Sequence, residues 1–333
     1  MRSILNFGKI RFYILSITIF FSCVTLLNGK TANYGKASDY GFIEGVNYTK
    51  NVVYKEVDGQ KITMDVFYPK TENMSKKNPW MVFVHGGGWA GGSKDNIFRK
   101  AYIETLKTLL KNGVVCFSIE YRRAKAPFTT YESVIDCKDA TKFLLKNAKK
   151  YKLDKKKYGI WGGSAGGHLS LVTALVPDSY FPGDKQLSKI HPKYKCVASY
   201  FPFTSCLNPD LRPASIFEDE KLFIRLLGGT LEEKPELARL LSPTEFLKEN
   251  SPSILLLHGD KDATLPIINS QYMMKVAKEK NADVKLLTIK NAGHTFSGSH
   301  ISPSFTELSD YASDFILSHL GVKYKKGLKK NIK

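Results

Sequence analysis

The sequence predicts an α/β fold with a mostly parallel, doubly wound central sheet that opens with an antiparallel hairpin. Short apolar runs alternate with amphipathic segments of helical length along most of the 333 residues. These runs are continuous rather than alternating, which is typical of strands covered on both faces. At 43% hydrophobic and 12% aromatic, the chain can bury a large core and is not a disordered or repeat protein.

The elements follow from local patterns. Alternating segments at 51–57 and 61–68 joined by Asp58-Gly59 predict the hairpin. Apolar runs predict buried strands at 80–84, 114–119, 158–161, 197–201, 254–257 and 284–289. Periodic segments predict helices at 97–110, 131–148, 169–176, 267–280 and 305–320, so helices are expected on both faces of the sheet.

Residues 201–251 interrupt this alternation. The segment carries several prolines and only short helical pieces, at 221–227 and 235–240. It follows the predicted strand at 197–201, which ends at the same edge of the sheet as the other parallel strands. We therefore expect a cap or lid insertion there.

The N-terminus has the pattern of an export signal. Basic residues at 2, 9 and 11 precede an apolar run over 14–27 that is short for a membrane span. We expect residues 1–29 to be a signal peptide, 30–50 a linker and 51–321 the folded domain. The protein is then periplasmic or secreted. A loose lipobox at Cys23 is the alternative, and only lipidation there would anchor the chain to a membrane.

The chain is strongly basic, with a formal net charge of +19, and lysines cluster in the tail at 322–333. Such a tail can bind nucleic acid or anionic lipid. A solvated, frayed end is the interpretation that we prefer. Because no nucleic-acid motif accompanies the tail, we expect no nucleic-acid partner.

Four cysteines follow the predicted signal peptide, and an even number in an exported protein permits disulfides. Cys116 and Cys137 fall in a strand and a helix and are expected to be buried thiols. Cys196 and Cys206 bracket a strand and its following loop, and are the more plausible pair. None of the four has metal-ligand spacing.

The most informative motif surrounds Ser164. Gly162-Gly163-Ser164-Ala165-Gly166-Gly167 lies between a predicted strand and a predicted helix, as a nucleophile elbow requires. Glycine at 162 and 166 relieves crowding in the sharp turn. The amide of Ala165, at the helix start, is placed to donate to a developing oxyanion. Phosphate-binding or purely structural turns share this pattern.

A second glycine-rich loop, His85-Gly86-Gly87-Gly88-Trp89, directly follows the strand at 80–84. Acyl transfer builds negative charge on the carbonyl oxygen, and backbone amides stabilise it. We expect Gly87 and Gly88 to donate together with Ala165. A dinucleotide-binding loop is the alternative, but G-x-G-x-x-G is absent here.

A serine nucleophile needs a base and an orienting acid, in the chain order Ser, Asp, His for this kind of sheet. His294 follows the last predicted strand and is the expected base, with His300 as a weaker rival. Asp262 and Asp260 both follow the strand at 254–257, and Asp262 is favoured, partly from the resemblance given below. Structural or local roles are expected for His168, His258 and His319, which also follow Ser164 in the chain.

The chain resembles the α/β-hydrolase superfamily, most closely the branch related to hormone-sensitive lipase and the BD-FAE group of feruloyl and acetyl-xylan-type esterases. The matching segments are HGGGW (85–89), IEYR (119–122), IWGGSAGGHLS (160–170), LLHGDKDATLP (256–266) and NAGHTF (291–296). The resemblance implies a Ser164–His294–Asp262 triad, an oxyanion hole of Gly87, Gly88 and Ala165, and no cofactor or metal. It also implies structural roles for Tyr121, Arg122 and Asp136.

These observations predict a serine ester hydrolase that removes acetyl or feruloyl groups from carbohydrate, or cleaves small esters. A general short-chain carboxylesterase or lipase, a formamidase-like amide hydrolase and a non-catalytic binding protein on the same fold are the alternatives. A prolyl-oligopeptidase-like peptidase is disfavoured by the HGGG loop and by the absence of a propeller-sized domain.

Overall fold

The computed structural model describes residues 47–211 and 220–323, which contain an eight-stranded sheet in the order β1-β2-β4-β3-β5-β6-β7-β8. The predicted signal peptide with Cys23, most of the linker, part of the insertion and most of the tail lie outside these residues. The strands are β1 (Asn47–Val57), β2 (Gln60–Tyr68), β3 (Asn78–Val84), β4 (Val115–Ile119), β5 (Leu153–Gly163), β6 (Cys196–Tyr200), β7 (Ser253–Gly259) and β8 (Val284–Ile289).

The predicted sheet topology is confirmed. β1 pairs with β2, and β2 with β4, in antiparallel fashion, whereas every other neighbouring pair is parallel. The hairpin turns at Asp58 and Gly59, which both have positive φ, as a two-residue turn requires. β1 begins four residues before the predicted strand, and β5 begins five before it, because its first half carries exposed lysines that hide the strand from an apolar pattern.

Helices cover both faces. They are α1 (Ile103–Lys111), α2 (Thr130–Lys146), α3 (Ala165–Leu175), α4 (Glu220–Leu227), α5 (Pro235–Leu240), α6 (Ile268–Glu279) and α7 (Phe305–His319). Successive residues of β3 alternate between two buried apolar clusters. Met81 and Phe83 join the cluster that contains residues of α1 and α7, whereas Val82 and Val84 join the one that contains residues of α2, α3 and α6.

The predicted helix at 97–110 is wrong at its start. Residues Lys94–Phe98 form a 3-10 helix, and α1 begins only at Ile103. Arg99 separates the two because its backbone is extended, with φ −65° and ψ 150°. As a result, Arg99 and Tyr102 become part of a loop beside the sheet edge.

The proposed Cys196–Cys206 disulfide is also wrong. All four cysteines of the described chain are buried thiols. Cys196 starts β6 and belongs to one apolar cluster, whereas Cys206 lies past the other end of β6 and belongs to the cluster on the opposite face. Burial raises the pKa of Cys196 to about 12, so this thiol is poorly reactive.

The 201–251 segment lies between β6 and β7 and contributes α4 and α5. The start of the segment is hydrogen-bonded to α6, since Asn269 Nδ2 donates to Leu211 O at 3.0 Å and Thr204 Oγ1 donates to Asn269 O at 2.9 Å.

In the part of the chain that is described, no helix combines the length and the apolarity that crossing a bilayer requires.

Candidate active site

Ser164 sits at the turn between β5 and α3. Its backbone is strained, with φ 58° and ψ −126°. Two main-chain hydrogen bonds hold the turn: Ser164 N–H donates to Tyr200 O at 2.9 Å, and His168 N–H donates to Ser164 O at 3.0 Å. This is the geometry of a nucleophile elbow.

Glycines allow this turn to pack against β3. A Cβ added at Gly162 or Gly166 would overlap the carbonyl oxygen of Val84. Side chains at these two positions would therefore push the elbow away from the sheet. Ala165 is the first residue of α3, directly after Ser164, as the sequence predicts.

His294 follows β8 and lies between Ser164 and Asp262. Ser164 Oγ is 3.0 Å from His294 Nε2, and His294 Nδ1 is 2.7 Å from Asp262 Oδ2. The Asp262 side chain is completely buried, whereas the imidazole is 19% exposed. The ring also packs edge-on against Phe201, with centroids 4.7 Å apart. These contacts fix the ring between an acid and a hydroxyl.

Asp262, rather than Asp260, is the carboxylate that meets the imidazole. Its second oxygen accepts the backbone N–H groups of Thr264 and Leu265, both at 2.9 Å. Burial raises the pKa of Asp262, but hydrogen bonds from His258, His294 and the Leu265 amide together hold that pKa well below its usual range. Asp260 is partly exposed, with Lys290 Nζ 3.9 Å away.

His258 supports the acid, a contact that the sequence does not reveal. Its Nε2 lies 2.7 Å from Leu265 O and 3.4 Å from Asp262 Oδ2. Because a carbonyl oxygen only accepts, Nε2 carries the proton, and Nδ1 accepts from Ser270 Oγ at 2.7 Å. His258 therefore has a structural role: its hydrogen bonds stabilise the loop that holds Asp262.

The loop after β3 brings Gly87 and Gly88 to the same cavity as Ser164. Both have positive φ, and the N–H of Gly91 donates to Gly87 O at 2.8 Å. The loop is held from the side by His168, whose Nδ1 accepts from Trp89 Nε1 at 3.1 Å. The other nitrogen of His168 donates to Leu241 O at 2.8 Å, just after α5.

Three polar residues that the resemblance implies to be structural, Tyr121, Arg122 and Asp136, make buried hydrogen bonds. Tyr121 Oη donates to His85 O at 2.9 Å. Arg122 donates two side-chain hydrogen bonds to Asp136, both at 2.8 Å, and Lys55 Nζ reaches the same carboxylate at 2.7 Å. The contacts of Asp136 thus join α2 to β1 and to the segment after β4.

The remaining histidines lie elsewhere. His300 is exposed, His191 is 71% exposed, and His319 ends α7 with Nδ1 2.7 Å from Phe315 O. Across residues 47–211 and 220–323, no group of three or more His, Cys, Asp or Glu side chains is arranged to hold a metal ion.

The cavity at Ser164 has a volume of about 290 Å³. Sequence reasoning missed much of its wall, because these residues come from the 3-10 segment, a strand end and the insertion: Asn96, Arg99, Tyr102, Phe201, Leu222 and Arg225. The one sequence signal for these wall residues is the three-residue spacing of Asn96, Arg99 and Tyr102. This spacing indicates that the three side chains point toward the same cavity only when the end of the 3-10 helix at Arg99 is known.

Curated relatives include esterase LipC of Mycobacterium tuberculosis (strain ATCC 25618 / H37Rv), 26% identical over 75% of this chain and 60% of its own length. The probable isoprenylcysteine alpha-carbonyl methylesterase ICME of Oryza sativa subsp. japonica is 26% identical over 74% of this chain and 58% of its own length. The chain thus spans about three fifths of the length of these two relatives.

Solved structures share the fold. A truncated carbohydrate esterase from gut microbiota aligns with a TM-score of 0.68 at 22% identity, over 83% of this chain and 96% of that one. The butyrate-bound esterase Est2 of Thermogutta terrifontis gives 0.69 at 22% identity, over 86% and 98%. The architecture is therefore the α/β-hydrolase fold. Because the BD-FAE family model matches residues 64–276, this chain belongs to the BD-FAE family.

Proposed function

We propose that this protein is a carboxylic-ester hydrolase that works through Ser164, His294 and Asp262. The observation that carries the proposal is the continuous hydrogen-bonded chain from Ser164 Oγ through the imidazole to a buried carboxylate, at 3.0 and 2.7 Å. A nucleophile, a base and an orienting acid in this order constitute an acyl-transfer triad.

In the proposed mechanism, Ser164 Oγ attacks the ester carbonyl while His294 Nε2 takes its proton. Asp262 holds the ring through Nδ1–H and stabilises the imidazolium that forms. The amides of Gly87, Gly88 and Ala165 receive the oxyanion. His294 then protonates the departing alcohol, and water, deprotonated by the same ring, releases the acid and restores Ser164.

The proposed substrates are small esters or acyl groups, such as acetyl or feruloyl, on carbohydrate. Membership of the BD-FAE family supports this, as do fold relatives described as a carbohydrate esterase and as an esterase bound to butyrate. The cavity of about 290 Å³ lies at the small end for ligand pockets. This size favours a short acyl group.

We also propose that the protein is exported, through residues 1–29. This is tested by mass spectrometry, which gives the molecular mass of the protein recovered from membrane, periplasmic and secreted fractions. Cleavage near residues 28–32 supports a signal peptide. Retention in the membrane that a Cys23→Ser variant abolishes would indicate lipidation instead.

The activity is tested with p-nitrophenyl acetate, p-nitrophenyl butyrate, methyl ferulate and acetylated xylan, on the parent and on Ser164→Ala. We expect hydrolysis by the parent and a fall in kcat of about ten-thousand- to a million-fold in the variant. Cleavage of the aryl esters alone would remove the carbohydrate part of the proposal. Unchanged activity in Ser164→Ala would overturn the mechanism.

Two alternatives have their own outcomes when matched amide substrates and a binding measurement are added to this assay. An amide hydrolase would cleave N-formylated or acetanilide substrates faster than the matched esters. A binding protein would show no parent activity while still binding the esters. We expect Ser164→Ala to keep the circular dichroism spectrum of the parent in either case, which would separate loss of chemistry from loss of structure.

A further inference from the structure

A groove lined by lysines lies at the end of the sheet opposite Ser164. Its main part is a cavity of about 520 Å³, and none of the described residues that line this cavity is an Asp or Glu. The lysines that line it are all exposed to solvent. We call this surface the basic groove, and its lysines are Lys146, Lys155, Lys156, Lys189, Lys193 and Lys195.

The starts of two neighbouring parallel strands bring these lysines together. Lys156 lies in the first half of β5, and Lys195 directly precedes β6. Tyr158 joins the two segments, because its carbonyl oxygen accepts from Lys195 N–H at 2.8 Å and its hydroxyl accepts from Lys193 N–H. About 26 Å of extended chain separates Lys156 from Ser164 along β5. A ligand in the basic groove therefore leaves the active site open.

The positive charge of the basic groove is not neutralised within the part of the chain that the structure describes. There, none of its lysines forms an ion pair, and Lys146 donates only to the neutral amide of Gln186, at 3.4 Å. Asp154 precedes Lys155 in the sequence, but its carboxylate accepts the backbone N–H of Lys156 rather than an ammonium group. A cavity lined by one sign of charge attracts ligands of the opposite sign.

A second cavity, of about 630 Å³, continues the basic groove toward the start of β7. It shares Lys193 and Lys195 with the first cavity, and Asp178 is the one acid among the described residues that line it. That carboxylate is already paired with two almost fully buried ammonium groups, Lys138 Nζ at 3.0 Å and Lys142 Nζ at 3.1 Å. Asp178 therefore does not offset the exposed lysines, and the basic surface extends across the starts of three neighbouring strands.

We infer that the basic groove binds an acidic polysaccharide, whose anionic groups pair with the lysines. An extended polymer with regularly spaced anions matches a long concave surface of separate ammonium groups, each of which is a compact point charge. A planar bilayer would reach only the rim of such a cavity. No exposed Phe, Tyr or Trp is among the described residues that line the two cavities. The bases of a single-stranded nucleic acid therefore have no such ring to stack on.

The test measures binding to the full chain and needs no turnover, so it does not depend on the proposed hydrolase function. The probes are fluorescently labelled polygalacturonate, which carries carboxylates, dextran sulfate, which carries sulfates, and uncharged dextran. Fluorescence anisotropy gives the Kd of each. We expect at least one charged polymer to bind, its affinity to fall as salt is raised, and dextran not to bind. The tighter of the two charged polymers identifies the anionic group.

Two double variants assign the binding to the basic groove. Lys193→Gln with Lys195→Gln should weaken the binding of the charged polymer by about three- to thirty-fold. Lys275→Gln with Lys285→Gln is the matched control, because it removes two exposed lysines, on α6 and β8, that line neither cavity. The control should keep the parent Kd. Each variant should also keep the parent Tm, which separates a loss of binding from a loss of structure.

Different results would overturn the inference. If the parent binds neither charged polymer, or if both double variants weaken binding equally, the lysines are only a solvated surface. Tighter binding of phosphatidylglycerol vesicles or of an oligothymidylate than of either polymer, lost in the groove variant, would assign the groove to a membrane or to nucleic acid instead. Failure of the hydrolase proposal would leave all of these binding results unchanged.

Discussion

His168 makes the stability of the site depend on pH in a way that can be measured. The ring is 1% exposed and bridges two loops, accepting from Trp89 Nε1 and donating to Leu241 O. Burial lowers its pKa to about 4, against the opposing hydrogen bond to Leu241. A proton on Nδ1 would remove the acceptor that Trp89 needs, so the native state holds this histidine neutral.

The magnitude follows from linkage. With a native pKa of about 4 and an ordinary value of 6.5 in the unfolded chain, only the unfolded state binds this proton between those values. The contribution of His168 to stability is therefore complete above pH 6.5 and is lost as the pH falls toward 4. Between pH 7.5 and pH 5.0 the free energy of unfolding should fall by about 2 kcal/mol from this group alone.

The assay is urea unfolding of the parent and of His168→Gln at both pH values. Glutamine has no proton to gain, so the pH-dependent drop should be smaller in the variant by about 2 kcal/mol, although the variant is less stable at pH 7.5. His300→Gln, which removes an exposed imidazole, serves as the control. Equal drops in parent and His168→Gln would refute the reasoning.

Three further predictions concern the site. Asp262→Asn should lower kcat by about ten-thousand-fold with little change in KM, because the amide favours the wrong tautomer of His294; steady-state kinetics on p-nitrophenyl acetate checks this, and a loss below ten-fold contradicts it. Gly163→Ala should lower both Tm and kcat because the new methyl overlaps the Tyr102 hydroxyl; adding Tyr102→Phe should recover part of both, and no recovery would exclude that clash as the cause. His300→Ala should keep parent kcat/KM whereas His294→Ala loses it, since the structure places only His294 within hydrogen-bond distance of Ser164; equal losses would contradict this assignment.

The sequence predicts those parts of the site that directly follow strands. Gly87, Ser164, Asp262 and His294 each come within a few residues of the end of β3, β5, β7 or β8. The carboxyl ends of parallel strands meet at one edge of the sheet, so chain order and apolar runs suffice to bring these four together. The antiparallel hairpin is similarly local, because Asp58-Gly59 specifies its own turn.

Other features depend on contacts that no local pattern encodes. The break at Arg99 interrupts a segment with helical periodicity, and the lysine-rich start of β5 conceals a strand within a charged run. The thiols of Cys196 and Cys206 suggest a pair by spacing, but alternation along β6 and the turn after it send them to opposite faces. In each case tertiary packing overrides the structure that the local sequence pattern predicts.

Tertiary side-chain contacts, rather than local patterns, also link the insertion to the region around Ser164. The proposed reacting groups follow strand ends, whereas side chains link this region to the insertion: His168 joins the loop of Trp89 to Leu241, and Asn269 joins α6 to Leu211. Two hydrogen bonds on one neutral imidazole thus connect the amides proposed to hold the oxyanion with the segment that carries Arg225. Since losing either bond leaves a buried polar group unpaired, at a cost of about 1–3 kcal/mol, the insertion and the proposed oxyanion loop stabilise one another. Substitutions in the insertion should therefore alter kcat as well as KM.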